Sequence, residues 1–374
     1  MIAYVVMLLV VAGTIEGMAW AVGSYLATKA VFYVPEKVEG YARYLALRDP
    51  VVGWPMPSTF GTGERDDTGS RAIPAFADTR VSCVSLYGDS FTWGSEVDNE
   101  HAWSNVLSEL LGCRVSNFGV SGYGTDQAYL RFLHNSGDRA PVVILGHLSL
   151  NIIRNVNQMR GLVSFDPYGL KPRFILTRGG QLELVPLPTF TETDYRGLVQ
   201  WPAGYLRHEY FLPGEPAGSA MLRFPFTLSV LGALQHRHIR AQLSGTPHYL
   251  EFYDGNHPSG ALLVTTAIIK AFTRDVTKAG RTPVVIIIPA GLDLQYYAKH
   301  GRWVYQPLLD RLQDADVNAF DTGPGIMNAV GSRDPCELLD KCGGHYNDEG
   351  NAVLAQIVFN RLRTEGVGGR RDSD

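Results

Sequence analysis

Val81-Ser82-Cys83-Val84-Ser85-Leu86-Tyr87-Gly88-Asp89-Ser90-Phe91-Thr92-Trp93-Gly94 is a short β-prone run ending in a glycine-flanked turn. A serine placed at the C-terminal end of a parallel strand lies on the rim where open α/β sheets bind ligands. The tight turn leaves the Ser90 hydroxyl and backbone N–H facing one pocket, so a single residue can supply a nucleophile and an oxyanion donor. Alone, Gly-Asp-Ser also fits an ordinary turn. The strand before it and the helical segment after it give it weight.

Outward from this stretch the chain keeps a β–α rhythm. Ala102–Leu111 has helical apolar spacing, Arg114–Phe118 is the next strand, Thr125–His134 is helix-like, and Val142–Leu148 is a nearly continuous apolar strand. The rhythm resumes with a helix over Ala261–Lys278, a strand over Pro283–Ile288, a helix over Trp303–Gln313, a strand over Val317–Phe320 and a helix over Glu349–Leu362. Strands apolar on both faces, alternating with amphipathic helices, predict a doubly wound parallel α/β sheet of about five strands. Between residues 156 and 259 the rhythm breaks. Arg173–Thr177 and Gln181–Val185 around Gly179-Gly180 read as a hairpin, followed by a segment rich in proline and aromatic residues. This insertion decorates the sheet, either shaping a substrate site or packing on the core or the N-terminal segment.

Composition narrows the classes. The chain has 374 residues, 45% apolar and 19% charged, which excludes disorder and fibrous rods. A net charge of −4 with mixed signs offers no basic stripe for nucleic acid. Four cysteines exclude a disulfide-built scaffold. The mean hydropathy of −0.04 conceals a greasy amino terminus. Residues 1–28 carry one charge, Glu16, and twenty-seven residues of helix span ~40 Å, more than the ~30 Å hydrocarbon core requires. Glu16 at the bilayer centre costs on the order of 2.5–3.5 kcal/mol, which the leucines and valines before it offset. The segment reads as an uncleaved anchor rather than a buried core helix or a signal peptide, since it lacks a basic start and a clear cleavage site. Lys29, Lys37 and Arg43 follow it, and the positive-inside rule sets them against export of the C-terminal side. Residues 29–77, rich in proline and glycine, read as an extended connector on a domain surface. The α/β domain is then 78–366, with the insertion at 156–259 and a flexible tail at 367–374.

The remaining candidates come from later strand ends. Asn117-Phe118-Gly119-Val120-Ser121-Gly122-Tyr123-Gly124 ends the second strand, where Gly119 N–H is a candidate second oxyanion donor and a plain glycine-rich turn is the alternative. Asn151, after the third strand, carries a side-chain N–H, although loop asparagines are commonly turn formers. His345, in Gly343-Gly344-His345-Tyr346-Asn347 before the last helix, can take the Ser90 proton. The other nine histidines lack this setting. His236 and His238 have no carboxylate or cysteine set to complete a metal site and read as surface or turn residues.

Taken together, these residues resemble the SGNH/GDSL hydrolases over residues 78–155 and about 260–366, half the chain. Ser90, Gly119, Asn151 and His345 match that family's blocks in order. The resemblance implies a flavodoxin-like sheet and serine acyl transfer without cofactor or metal. Ser90 is then nucleophile, His345 general base, and the Ser90 and Gly119 N–H groups with the Asn151 side chain form the oxyanion hole. Two departures stand out. Leu150-Asn151-Ile152-Ile153-Arg154-Asn155 leaves Asn155 as an alternative donor, and Cys342 occupies the family's usual position for the triad acid. Asp340 is the nearest carboxylate, Asp334 and Asp348 are also local, and a backbone carbonyl can replace the acid in a dyad. Cys336 and Cys342 either form a bridge that rigidifies the His345 loop in an oxidising compartment or remain two thiols. Cys83 and Cys113 read as core thiols. Membrane-tethered members of the family imply an extracytoplasmic bacterial domain.

The leading expectation is a membrane-anchored serine esterase removing an O-acyl, principally O-acetyl, group from a carbohydrate or cell-envelope substrate. An O-acyltransferase using the same acyl-enzyme, a lysophospholipase or thioesterase, and a non-catalytic glycan-binding or assembly module are the alternatives. The substrate partner is accordingly an ester-bearing carbohydrate or lipid.

Overall fold

Five parallel strands form the centre of the computed structural model, which describes all residues except 30, 59–63, 165–168, 216, 365 and 367–374. The tail expected at 367–374 lies outside the described residues. In chain order the strands are β1 (Phe32–Tyr33), β2 (Ser82–Tyr87), β3 (Arg114–Asn117), β4 (Val142–Leu148), β5 (Arg173–Leu176), β6 (Leu182–Val185), β7 (Ala220–Met221), β8 (Thr282–Ile288) and β9 (Ala319–Asp321). The central sheet runs β3-β2-β4-β8-β9, the flavodoxin-like order. β4 and β8 pair over their full length, from Val142 opposite Thr282 to Leu148 opposite Ile288.

Every residue of β4 is buried, which is why its sequence is a continuous apolar run rather than an alternation. Helices cover the sheet in two groups. Trp103–Leu111 packs with Asp348–Thr364, and Ala261–Lys278 packs with Thr125–His134 and Gln306–Gln313. Thr125–His134 and Ala261–Lys278 match the sequence pattern to the residue. After β8, two helices escape that pattern, Gly291–His300 and Gly323–Val330. The first begins beside Pro289 and is set by capping, Asp293 Oδ2 accepting from Ala290 N at 2.7 Å, more than by an apolar stripe.

Three expectations need correction. The 29–77 segment is not a surface connector, because Phe32, Tyr33, Tyr44, Val52, Trp54 and Arg71 are buried. Its turns fold the chain back onto the domain, and widely spaced aromatics, too sparse to give a period, are the groups that enter the core. Arg71 donates to Asn99 Oδ1 (2.8 Å) and to the carbonyls of Trp93 (2.9 Å), Gly94 (2.9 Å) and Val97 (2.7 Å), fixing the chain just after Ser90. Cys83 and Cys113 are not thiols but a disulfide, Cα–Cα 6.1 Å, since β2 and the start of β3 are neighbours. Cys336 and Cys342 are also bridged. Finally, His236 is buried and stacks on His238, which stacks on His248 with ring centroids 4.3 Å apart. Burial pushes all three imidazoles down, His236 and His248 to about 3, so they are neutral.

The insertion packs on the N-terminal helix and also lines the cavity described below. Hairpin β5–β6 is antiparallel, β7 pairs with β1, and the helix Phe226–Ala233 packs on the N-terminal helix Ile2–Ala27. That N-terminal helix is long and apolar enough to cross a membrane. At its other end the insertion reaches the site described next.

Candidate active site

Ser90 opens a four-residue helix directly after β2, and Asn151 opens another after β4. These neighbouring strands flank the point where the strand order reverses, where such sheets form a crevice. The residues lining the crevice include Ser90, Trp54, Gly122, Arg154, His248 and His345, and its volume is about 390 Å³. Ser90 and His345, 255 positions apart in sequence, therefore face one cavity.

Asp89 caps the Ser90 helix, its Oδ1 accepting from Phe91 N at 3.0 Å, while its Oδ2 lies 3.2 Å from Arg154 Nη1. Burial pushes the Asp89 carboxyl up, and Arg154 with the helical N–H groups pulls it back. Arg154 Nη1 also donates to Tyr123 O and to Asn151 Oδ1, both at 2.9 Å. With its oxygen so engaged, the Asn151 amide must point its nitrogen the other way. Asn151 Nδ2 is buried and has no acceptor among the described residues. A buried donor without a partner costs about 1–3 kcal/mol. Asn155 donates elsewhere, to Thr265 Oγ1 at 2.8 Å.

Gly119 is a correction. Its N–H donates to Asn117 Oδ1 at 2.9 Å, and a Cβ there would lie 2.7 Å from Trp93 N, so this glycine serves close packing behind the nucleophile turn. Gly122, three residues on, lines the cavity at φ +89°, and its N–H has no acceptor among the described residues. The sequence places both glycines in one turn, and only the fold separates the packing glycine from the one that lines the cavity.

His345 sits on a loop held at both ends. Asp340 N donates to His345 O at 2.9 Å, Tyr346 Oη donates to Pro289 O at 2.7 Å, and Cys336–Cys342 closes the turn. Phe91 packs on the imidazole at 5.0 Å between centroids. Burial pushes the His345 pKa below the ordinary imidazole value, opposed by the carboxylates of Asp89, Glu96 and Asp340. Asp340 is not the ring's partner, since its carboxylate is turned to Lys341 at 3.9 Å and only its backbone touches His345. The carboxylate beside the ring is Glu96, with Oε1 3.7 Å from Nδ1. Glu96 is held at φ +71°, a conformation costly for a side-chain-bearing residue. Sequence reasoning missed Glu96 because it sought the acid near the histidine. It missed Arg154 although a spacing of three from Asn151 puts both on one helical face.

No family profile and no curated protein matches the chain. Among solved structures, a lipolytic protein of the G-D-S-L family from Desulfitobacterium hafniense DCB-2 aligns at 13% identity and TM-score 0.36, covering 74% of this chain and 97% of its own. The psychrotrophic esterase EstA from Pseudoalteromonas sp. aligns at 10% identity and TM-score 0.36, over 75% and 97% of the two chains. The acetyl xylan esterase AlAXEase aligns at 12% identity and TM-score 0.36, over 75% and 98%. The chain is similar to these G-D-S-L lipolytic proteins and esterases.

Proposed function

We propose that this chain is an SGNH-type serine esterase, tethered to a membrane, that removes a short acyl group such as acetyl from a carbohydrate or cell-envelope ester. The observation that carries the reading is the placement of Ser90 and His345 on one cavity, with the neighbouring Asn151 Nδ2 buried and without an acceptor among the described residues. Ser90 Oγ attacks the ester carbonyl as His345 accepts its proton. The Ser90 and Gly122 N–H groups and Asn151 Nδ2 receive the oxyanion. The proton then passes from His345 to the departing alcohol, and water, deprotonated by His345, releases the acid from the acyl-enzyme. Covalent labelling of the full chain by a fluorophosphonate tests the assignment. Labelling confined to Ser90 supports it, and an unlabelled protein defeats it. Acetate release measured with and without a glycan acceptor separates hydrolysis from acyl transfer to a sugar.

Glu96 takes the place of the absent acid at 342, as a positioning residue for His345. Exchanging Glu96 for Gln lowers kcat by roughly tenfold, a modest loss because the carboxylate is half exposed and solvent screens it. The sign in pH follows from its charge. Glu96 raises the His345 pKa, so its removal moves the acid limb of the pH–rate profile to lower pH. A profile that stays in place while kcat falls would show a structural role instead.

All four cysteines are bridged, which supports a domain outside the cytoplasm despite Lys29, Lys37 and Arg43. An alkaline phosphatase fused to the C-terminus, a reporter that folds only in an oxidising compartment, is therefore expected to be active. Activity only from a cytoplasmic reporter reverses the orientation.

A further inference from the structure

Glu16 is the acid that a membrane helix has least reason to carry, yet it has a partner in the fold. Its Oε2 accepts from Phe226 N at 2.5 Å and from Thr227 N at 3.4 Å, the first N–H groups of the helix Phe226–Ala233. A carboxylate and a helix N-terminus are each costly in hydrocarbon, and here each satisfies the other. The stripe Glu16, Ala19, Gly23, Leu26 and Ala27 is the face of Ile2–Ala27 that meets the protein, at helical spacing. Gly23 brings the two segments together, since a Cβ there would lie 2.4 Å from Leu222 Cδ1. Ala27, Val31, Phe32 and Ala233 form a small core of their own at this junction.

The partner helix is itself apolar outward. Phe226–Ala233 contains no charged residue, and Leu228 and Leu231 on it, with Phe224 and Leu234 flanking it, are between 57% and 73% exposed. Position along the N-terminal helix gives these residues a depth. A ~30 Å hydrocarbon core takes about 20 residues of helix, which from Ile2 reaches past Glu16 to the neighbourhood of Trp20. Trp20 and Tyr25 are exposed, as aromatic residues at a membrane boundary are. Lys37 and Arg223 line a cleft of about 600 Å³ with Trp20 and Ser24, at the level where headgroup phosphates lie. The helix that Glu16 caps is therefore at or inside the edge of the hydrocarbon.

We infer that residues 224–234 form a second membrane-contacting element, seated in the lipid interface against the N-terminal helix, with the bilayer as the occupant of its apolar face. The inference rests on the tethered reading above, and its test separates the two. The full chain carries one added cysteine at a time, Val10→Cys, Leu228→Cys, Leu231→Cys or Lys270→Cys, its own cysteines being bridged. Each is labelled with an environment-sensitive fluorophore and reconstituted into phosphatidylethanolamine–phosphatidylglycerol vesicles bearing nitroxide lipids. The labels at 10, 228 and 231 are expected to be quenched by lipid at least about fivefold more than the label at 270. Glu16→Leu, which removes the acceptor for two helical N–H groups, is expected to cut the quenching at 231 by about half. If position 10 is quenched while 228 and 231 respond to aqueous iodide, the domain stands off the bilayer and the inference fails alone. If position 10 also responds to iodide, the tether fails and takes the inference with it. Labels at 228 and 231 shielded from both quenchers would mean a second copy of the chain covers the face, which likewise overturns it.

Discussion

On the reading proposed above, Ser90→Ala is expected to reduce turnover of an acetyl ester by roughly 10⁴- to 10⁶-fold, and His345→Ala by a similar factor. The two act as one unit, so the double variant is expected to be little worse than either single one. A general base has no proton to take once the hydroxyl is gone, and a serine without its base stays protonated. What survives in each case is the contribution of binding and the oxyanion donors. The Ser90 hydroxyl has no hydrogen-bond partner among the described residues, so Ser90→Ala removes no structural contact and should leave the melting temperature unchanged. Fluorophosphonate labelling should vanish in Ser90→Ala and slow sharply in His345→Ala. An alanine variant at position 90 that keeps near-native turnover would remove the serine mechanism altogether.

Asn151→Ala is expected to cost about 10²- to 10³-fold in kcat with little change in KM, the effect of losing one oxyanion donor. Stability should move the other way or not at all. The wild-type amide nitrogen is buried without an acceptor, and removing it deletes an unsatisfied group. Arg154 keeps Asp89 and Tyr123 O when the asparagine oxygen is gone. A variant that melts at or above the native temperature while turning over far more slowly would identify a donor kept for the reaction rather than the fold. Equal losses in stability and activity would instead make Asn151 an ordinary structural amide. Arg154→Met should follow Asn151→Ala in kcat, because the amide loses the bond that fixes its orientation.

How much of this was legible depended on whether a residue acts through a local pattern or through a distant contact. β4 and the Val284–Ile288 part of β8 are nearly continuous apolar runs because both faces are buried, and periodicity finds such strands directly. Ser90, Asn151 and His345 are each marked by strand ends or glycine-hinged loops. Arg71 gives no such signal, being one arginine in a turn-rich segment whose four acceptors lie between residues 93 and 99. Cys83 and Cys113 read as core thiols because strand adjacency, not spacing, brings them together. Glu96 is 249 positions from His345, and its approach follows from a left-handed residue whose conformation the sequence does not announce. Gly119 and Gly122 share a turn, and only the accounting of N–H acceptors tells them apart.

The described residues between 31 and 77, packed on the domain, set how far it stands from the N-terminal helix. A flexible chain of that length would let a domain roam ~40 Å from its point of attachment. Here Tyr33 donates to Val199 O at 2.5 Å, and Gln127 holds the carbonyls of Val52 (2.8 Å) and Trp54 (2.7 Å), so the leash is wound in. On the tethered reading proposed above, the cavity would keep one height and one orientation over the bilayer, and its esters would come to it by lateral diffusion or by being threaded past it.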